Sequence, residues 1–278
     1  MKYYFNFSRQ TFLSLSYISM ILCSCEQEVQ LDLPEEASQR VMNCILNPDS
    51  LISVSLTNSQ MVSDTTAFSY RPFDTVIIKE NDLAFDTIIG STTGVYTSKF
   101  KPKEHYKYSI EALNKGTISS FDTVPVKCTI DSFYITKING FNYYLNFTFE
   151  KLDGSNHYFI LRILQKTTDS TFKPKEYTFL NSIGAIAMPD NGLIFKDNQF
   201  DSKHLSFDLS VYTSKKGYLY IEIQHISYSL YKYYLTLVQN YTANTGGGYQ
   251  RVKMFNNIVN GIGIVGSCTA SRDSVEIK

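Results

Sequence analysis

The feature of this sequence that most constrains its fold is an alternation of apolar and polar residues in short runs. Ile52, Val54 and Leu56 occupy every second position, and Tyr108 and Ile110 repeat the spacing further along. Successive side chains of a β-strand point to opposite faces, so a period of two predicts strands with one buried face. We therefore expect this chain to fold into β-sheets.

Turn signals divide these runs into many short strands. Several runs lie within residues 40–126, separated by turns such as the Asn-Pro-Asp-Ser of residues 47–50. Short strands with frequent turns are typical of an immunoglobulin-like β-sandwich. Pro125 marks the predicted boundary, beyond which residues 127–278 form a second β-rich domain with a looser stretch at residues 167–201. The predicted fold class is all-β.

One segment departs from the period of two. Leu230, Leu237, Val238 and Tyr241 recur at the three- and four-residue spacing of one helical face. The pattern predicts a single helix near residues 227–242 in the C-terminal region. Three of its tyrosines are candidate contacts for a protein partner: Tyr231, Tyr233 and Tyr234.

Residues 1–24 have the features of a secretion signal. Lys2 and Arg9 give a positively charged start, and an apolar run follows at residues 12–22. That run is shorter than the roughly 18 apolar residues that a membrane helix needs, and no later segment reaches that length. We therefore interpret residues 1–24 as a cleaved signal peptide.

The signal ends in Leu22-Cys23-Ser24-Cys25, which resembles a bacterial lipobox. A leucine three residues before the acceptor and a small serine directly before it favour Cys25 as the lipid-bearing cysteine. Cys23 is a poorer acceptor, because the bulky Leu22 would occupy the small-residue position. The expected mature protein begins at Cys25 and is held to the membrane by acyl chains such as palmitate, which contribute about 0.8 kcal/mol for each buried methylene.

Residues 25–39 are predicted to form an acidic tether. Glu26, Gln27 and Glu28 follow the lipobox directly and resemble the acidic signal that sends Bacteroidetes lipoproteins to the outer face of the outer membrane. The alternative is a solvated polar linker with no role in sorting. The first interpretation predicts a lipid-anchored outer-membrane protein that faces the cell exterior.

Composition and motifs argue against several function classes. Lysine and arginine balance aspartate and glutamate at 26 each, so no basic footprint for nucleic acid is expected. Known nucleophile, zinc-protease and phosphate-loop motifs do not occur, and we expect a non-enzymatic protein, although carboxylate pairs that assemble from distant strands stay open. Cys44, Cys128 and Cys268 lack paired spacing and are predicted to be small buried hydrophobic residues rather than a disulfide or a metal site.

Two short motifs have competing interpretations. Gly261, Gly263 and Gly266 match a dinucleotide fingerprint by spacing, but a helix rather than a strand precedes them. We expect these glycines to allow turns where the tail packs back on the second domain, and we expect no cofactor. Asp-Thr pairs resemble the acceptor motif for Bacteroidetes O-glycosylation, and the candidate sites are Thr65, Thr75, Thr87 and Thr123.

Four places in the chain resemble the DUF4249 lipoproteins of Bacteroidetes. They are the lipobox with the hairpin of residues 41–56, residues 94–96 with the strand at 106–110, residues 130–133, and the tail at 255–266. The resemblance implies an accessory to a TonB-dependent outer-membrane transporter, which captures or helps to gate a ligand. The alternative from another class is a structural or adhesive cell-surface protein. The resemblance supplies no catalytic residues.

Overall fold

Strands dominate the computed structural model, which describes residues 38–60, 70, 74–114, 116–154, 156–166, 171–179, 184–199, 203–214, 216–245 and 250–277. Within them the elements are β1 (Arg40–Leu46), β2 (Ser53–Asn58), β3 (Thr75–Glu80), β4 (Leu83–Ile89), β5 (Val95–Thr97), β6 (Lys107–Leu113), β7 (Thr117–Thr123), β8 (Ile130–Asn139), β9 (Asn142–Glu150), β10 (Tyr158–Lys166), β11 (Phe172–Pro174), β12 (Tyr177–Phe179), β13 (Ile186–Ala187), β14 (Leu193–Lys196), a 3₁₀ turn (Asp197–Gln199), β15 (His204–Tyr212), β16 (Gly217–Ile226), α1 (Tyr228–Asn244) and β17 (Ile262–Ile277).

The predicted all-β class with one late helix is confirmed. Helix α1 begins where Ser227 caps it, because the Ser227 side chain accepts a hydrogen bond from the Leu230 backbone N–H. In the part of the chain that the structure describes, no helix is long and apolar enough to cross a membrane.

The N-terminal half is a sandwich of two sheets. The four-stranded sheet β4-β3-β6-β7 packs on β1, β2 and β5. The alternating residues Val54, Leu56, Tyr108 and Ile110 are all fully buried between the two layers, so the period of two marks the inward face as predicted.

The C-terminal half is a second sandwich with an aromatic core. The sheet β12-β15-β9-β8 packs on β14, β10, β16 and the second half of β17. Phe147 and Phe207 are cross-strand neighbours whose rings stack at 4.9 Å between centroids, and Phe149 lies beside both. Such pairs contribute about 0.5–1.5 kcal/mol beyond the area that they bury.

Strand β17 belongs to both sandwiches. Its first six residues pair in parallel with β1, from Val41 opposite Ile262 to Leu46 opposite Ser267. Its remaining residues, Cys268 to Ile277, pair antiparallel with β16. The tail therefore packs on the second domain, as expected, and it also adds to the sheet of the N-terminal sandwich, which we did not predict.

Gly263 allows this close parallel pairing. Its φ is +126°, and a Cβ atom at this position would lie 2.1 Å from the Met42 carbonyl oxygen. Only glycine adopts such a backbone angle without strain, and only a residue without a side chain fits against β1. Gly263 is therefore required for the close packing of β17 against β1 within the sheet.

The outer face of the large sheet carries the helix and the third cysteine. Leu230 and Val238 of α1 pack on Ile160 and Cys268. Cys44 and Cys128 lie in the cores of the N- and C-terminal sandwiches, respectively. All three cysteines are buried and free, as predicted.

The segment between the sandwiches is held by side chains of the C-terminal half. The Val126 carbonyl accepts hydrogen bonds from Thr269 Oγ1 at 3.1 Å and from His225 Nδ1 at 2.7 Å. The Ser271 hydroxyl donates to the Cys128 carbonyl. These contacts fix the path of the chain between β7 and β8.

Candidate functional site

A cleft of about 530 Å³ opens at one edge of the C-terminal sandwich. It lies between the β13–β14 hairpin of the large sheet and the neighbouring ends of β12 and β15. Strands β12 and β13 are the edge strands of their two sheets. The cleft is lined by Asn142, Glu176, Tyr177, Thr178, Ala187, Met188, Asn191, Gly192, Leu193, Ser210 and Tyr212.

The rim of the cleft is a tight turn between β13 and β14. The Met188 N–H donates to the Gly192 carbonyl at 2.8 Å, and the Asn191 N–H donates back to the Met188 carbonyl at 3.1 Å. The Gly192 N–H donates to Asp190 Oδ1 at 3.2 Å. Asn191 has a φ of +60°, a left-handed angle that asparagine tolerates well.

An ion pair fixes this turn to the sheet beneath it. Arg162 of β10 donates to Asp190 Oδ2 from Nη2 at 2.7 Å and from Nε at 3.1 Å. Arg162 also donates to Gln224 Oε1 at 3.0 Å, and Gln224 donates to Glu222 Oε1 at 2.9 Å. Arg272 of β17 forms an ion pair with Glu222, with 2.5 Å between Arg272 Nε and Glu222 Oε2. The rim is therefore held by a polar network across three strands.

One tyrosine lies at the base of the cleft and another at its mouth. The Tyr177 hydroxyl donates to the Leu161 carbonyl at 3.2 Å, and burial raises the pKa of that hydroxyl. Tyr212 is 62% exposed and rests edge-on against Phe141, with 6.1 Å between ring centroids. The Thr213 N–H donates to the Phe141 carbonyl at 2.9 Å, which holds the two loops together. Tyr212 thus presents a supported aromatic surface.

The outward face of the four-stranded sheet continues the cleft as a polar surface. Thr178 pairs with Ser210, which pairs with Tyr144, so three hydroxyl-bearing residues form one row across neighbouring strands. In the next row Asp208 accepts hydrogen bonds from the Tyr144 hydroxyl and from Asn146 Nδ2, the latter at 2.6 Å. We call these five residues the polar face.

The charges at the cleft are sparse. Among the lining residues that the structure describes, Glu176 is the one with a charged side chain. The remaining groups are amides, hydroxyls, aromatic rings and aliphatic side chains. Polar side chains make up much of the lining, and convergent polar groups in a concave site fix the orientation of a bound ligand. This arrangement can bind an uncharged ligand that has both apolar surfaces and hydrogen-bonding groups.

The predicted modification sites that the structure describes, Thr75, Thr87 and Thr123, lie away from the cleft. Cys25 and Thr65 are outside the described residues. Thr87 and Thr123 are exposed on β4 and β7, the two edge strands of their sheet, whereas Thr75 is half-buried on the inner strand β3. The structure does not bring these residues together.

The aspartates that precede these threonines have structural roles. Asp74 is fully buried and pairs with Arg40 at 3.1 Å. Asp86 accepts a 2.6 Å hydrogen bond from Ser98. Asp122 accepts hydrogen bonds from Ser227 at 2.5 Å and from Ser267 at 3.1 Å, so it ties the start of α1 to β7 and β17.

The three candidate partner-contact tyrosines of α1 face the sheet to different degrees. Tyr231 is 6% exposed, and its ring stacks on Tyr158 at 4.4 Å between centroids. Tyr233 and Tyr234 are half-buried. Partner contact through these residues stays a prediction, and the exposed tyrosines of the helix are Tyr228 and Tyr241, which we did not predict.

Sequence reasoning did not identify the cleft. Tyr177 and the β13–β14 turn lie in the stretch that we expected to be loose, and Tyr212 stands at a strand end. A partial signal was present in β9, where Asn142, Tyr144 and Asn146 occupy the outward positions. Aromatic and amide side chains on the solvent side of a strand are a signature of a binding face.

A family model described as a domain of unknown function, DUF4249, matches residues 26–274. The match covers both sandwiches and begins one residue after Cys25. No curated protein matches the sequence.

Proposed function

The chain belongs to the DUF4249 family, and from its sequence and structure we propose that it is an outer-membrane lipoprotein that captures a ligand at the cell surface beside a TonB-dependent transporter. In this proposal Cys25 carries the lipid anchor, residues 25–39 are the tether, and the paired sandwiches are the ectodomain. The protein acts by binding, and the transporter carries out uptake.

The position of the family match supports the proposed anchor. The matched region begins at Glu26, so the family's shared sequence starts where the lipobox ends. Residues 1–24 then serve export, and the lipid on Cys25 holds the protein at the membrane. Several acyl chains on one residue are sufficient for stable anchoring without a membrane helix.

The observation that carries the proposed ligand capture is the cleft between β12 and β13. Its rim is fixed by the Arg162–Asp190 pair and its mouth by the contact of Tyr212 with Phe141. A preformed site loses little conformational freedom when a ligand binds, and this favours affinity. The site is therefore suited to capture a ligand without rearrangement.

The cleft is also well separated from the strand that follows the tether. In the large sheet β13 and β1 are separated by five strand spacings. A cleft at the β13 edge of the sheet, away from β1, is accessible to a ligand or to a transporter.

Co-purification from native membranes tests the proposal. The tagged protein is extracted from its host in mild detergent, and bound proteins are identified by mass spectrometry. We expect a β-barrel transporter in the eluate. Cys25→Ser should release the protein from the membrane fraction, whereas Cys23→Ser, the matched control, should leave it there.

Two outcomes would contradict the proposal. If Cys23→Ser releases the protein and Cys25→Ser does not, the anchor is assigned to the wrong residue. If the protein stays at the cell surface, as judged by added protease on intact cells, and no transporter accompanies it, the structural or adhesive function is favoured instead.

A further inference from the structure

The chemistry of the cleft points to a class of ligand. We propose that the cleft and the adjoining polar face bind a neutral saccharide chain. The inference rests on the proposed ligand capture and specifies what is captured.

The first argument is the arrangement of apolar and polar groups within the cleft. Tyr212 and Ala187 offer apolar surface, while Asn142, Thr178 and Ser210 place amide and hydroxyl groups beside it. A pyranose ring has the matching character, because its C–H faces are apolar and its edge carries hydroxyl groups. Amides and hydroxyls can each donate and accept hydrogen bonds, as sugar hydroxyls require.

The second argument is electrostatic. Glu176 in the cleft lining and Asp208 on the polar face are both acidic, so an anionic ligand would find like charges and no lysine or arginine side chain among the described lining residues. An unpaired charge in a partly desolvated site is costly. Acidic saccharides, phosphates and carboxylates are therefore poor ligands for this cleft, and a neutral saccharide is favoured over an acidic one.

The third argument is that the polar face extends the binding surface beyond the cleft. The row formed by Thr178, Ser210 and Tyr144 leads from the cleft across three neighbouring strands. Asp208 and Asn146 form the adjacent row, and the hydrogen bonds between Tyr144, Asn146 and Asp208 hold these side chains in place. Two strand spacings make this path about 10 Å long. A path of this length beyond the cleft suits a chain of sugar units better than a single ring.

A peptide is the alternative ligand that the test must separate. Strands β12 and β13 are sheet edges, and an extended peptide can add to an exposed edge through its backbone. That mode uses backbone groups of the edge strand, whereas the saccharide mode depends on the ring of Tyr212.

The experiment uses the mature lipoprotein, purified with its lipid in mild detergent. It is applied to an array of neutral oligosaccharides, acidic oligosaccharides and peptides, and binding to the positive probes is quantified by calorimetry. We expect binding to one or more neutral oligosaccharides. Tyr212→Ala should weaken that binding by at least about tenfold, as for a central aromatic contact.

Two control variants make the result specific. Tyr218→Ala removes a tyrosine that is 50% exposed at the start of β16 and does not line the cleft, so binding should be unchanged. Tyr212→Phe keeps the ring and should retain most of the affinity. Circular dichroism should show the same fold for all three variants.

The inference is overturned if no neutral saccharide on the array binds, or if Tyr212→Ala and Tyr218→Ala bind equally well. Binding of a peptide or an acidic saccharide that is lost in Tyr212→Ala would overturn the saccharide assignment but support ligand capture. Transporter co-purification is a separate measurement, so a failure of the proposed partnership is distinguishable from a failure of the ligand class.

Discussion

The Nδ1 atom of His157 lies 3.1 Å from the Nε2 atom of His225. His225 also donates from Nδ1 to the Val126 carbonyl, and His157 donates from Nε2 to the Asp153 carbonyl at 2.9 Å. The pair therefore connects the start of β10, strand β16 and the segment between the two sandwiches.

The first prediction concerns the pH dependence that His225 confers. Burial lowers the pKa of His225 from 6.5 to about 4. The unfolded chain therefore binds a proton near pH 6.5, and the folded protein binds it only near pH 4. Stability from this group is fully present above pH 6.5 and is lost as the pH falls towards 4, by about 3 kcal/mol in total. In His225→Gln, this decrease in the free energy of unfolding between pH 6.5 and pH 4 should be absent.

The second prediction concerns Asp122, which acts in the opposite direction. Burial raises its pKa from 3.8 to about 6, against the hydrogen bonds from Ser227, Thr123 and Ser267. The folded protein holds this proton at a higher pH than the unfolded chain does. Stability from this group is full below pH 3.8 and is lost as the pH rises through 6, by about 3 kcal/mol. Asp122→Asn should abolish this dependence.

The two groups can be separated by chemical denaturation between pH 4 and pH 6.5. In Asp122→Asn, stability should rise with pH, because His225 remains. In His225→Gln it should fall with pH, because Asp122 remains. Asp86→Asn, from a second Phe-Asp-Thr sequence, is the matched control for the loss of one aspartate carboxylate. Slopes of the same sign in Asp122→Asn and His225→Gln would contradict both assignments.

The third prediction tests the pairing of β17 with β1. Gly263→Ala should destabilise the protein by more than Gly217→Ala, and by about 1–3 kcal/mol more, the usual cost of overpacking. Both glycines have a positive φ, but a Cβ on Gly263 would strike Met42, while nothing lies within 4 Å of a Cβ on Gly217. Urea unfolding of both variants measures the difference. Equal destabilisation would mean that backbone strain alone matters.

The fourth prediction tests the support of the cleft rim. Asp190→Ala removes the acceptor for Arg162 and for the Gly192 N–H. We expect faster amide hydrogen exchange in residues 188–192 with little change in global stability, since the Asp190 side chain is 47% exposed and Arg162 keeps its hydrogen bond to Gln224. Asp82→Ala, which removes an exposed ion pair with Lys107, should leave exchange in the turn unchanged. Unaltered exchange in Asp190→Ala would show that the turn needs no support from Arg162.

The fifth prediction concerns the Asp-Thr sites. Thr87 and Thr123 are exposed on edge strands and should carry glycans in protein from the native host, whereas half-buried Thr75 should carry less or none. The measurement is the intact mass of the wild type and of the Thr87→Ala and Thr123→Ala variants. A wild-type mass equal to that of the lipidated polypeptide alone rules out modification.

The local features of the fold were predictable from the sequence. Alternation marked the buried faces of β2 and β6, and periodicity placed the helix within two residues of its observed ends at Tyr228 and Asn244. The small apolar character of Cys44, Cys128 and Cys268 also followed from their spacing. Each of these features depends on neighbours in the chain or on the chemistry of one residue.

The non-local features were not predictable in the same way. Glycines and polar residues interrupt the apolar pattern of β17, so the sequence did not predict this strand. The first half of β17 pairs with a strand more than two hundred residues earlier, and no local pattern indicates such a partner. The cleft depends on where two short edge strands end, and neither β12 nor β13 is long enough to show a period. Its rim is held by Arg162, whose role is visible only once β10 and the turn are adjacent.

If residues 1–24 direct export, the parallel pair formed by β1 and β17 also bears on the order in which the chain folds. Strand β1 then crosses the membrane well before its partner β17, which lies more than two hundred residues later in the chain. Neither sandwich has its complete large sheet until then, which favours a chain that stays unfolded, and so able to pass through a translocation channel, for most of its transit. If residues 1–24 direct export, the late pairing of β17 delays folding until the chain has reached the compartment in which it works.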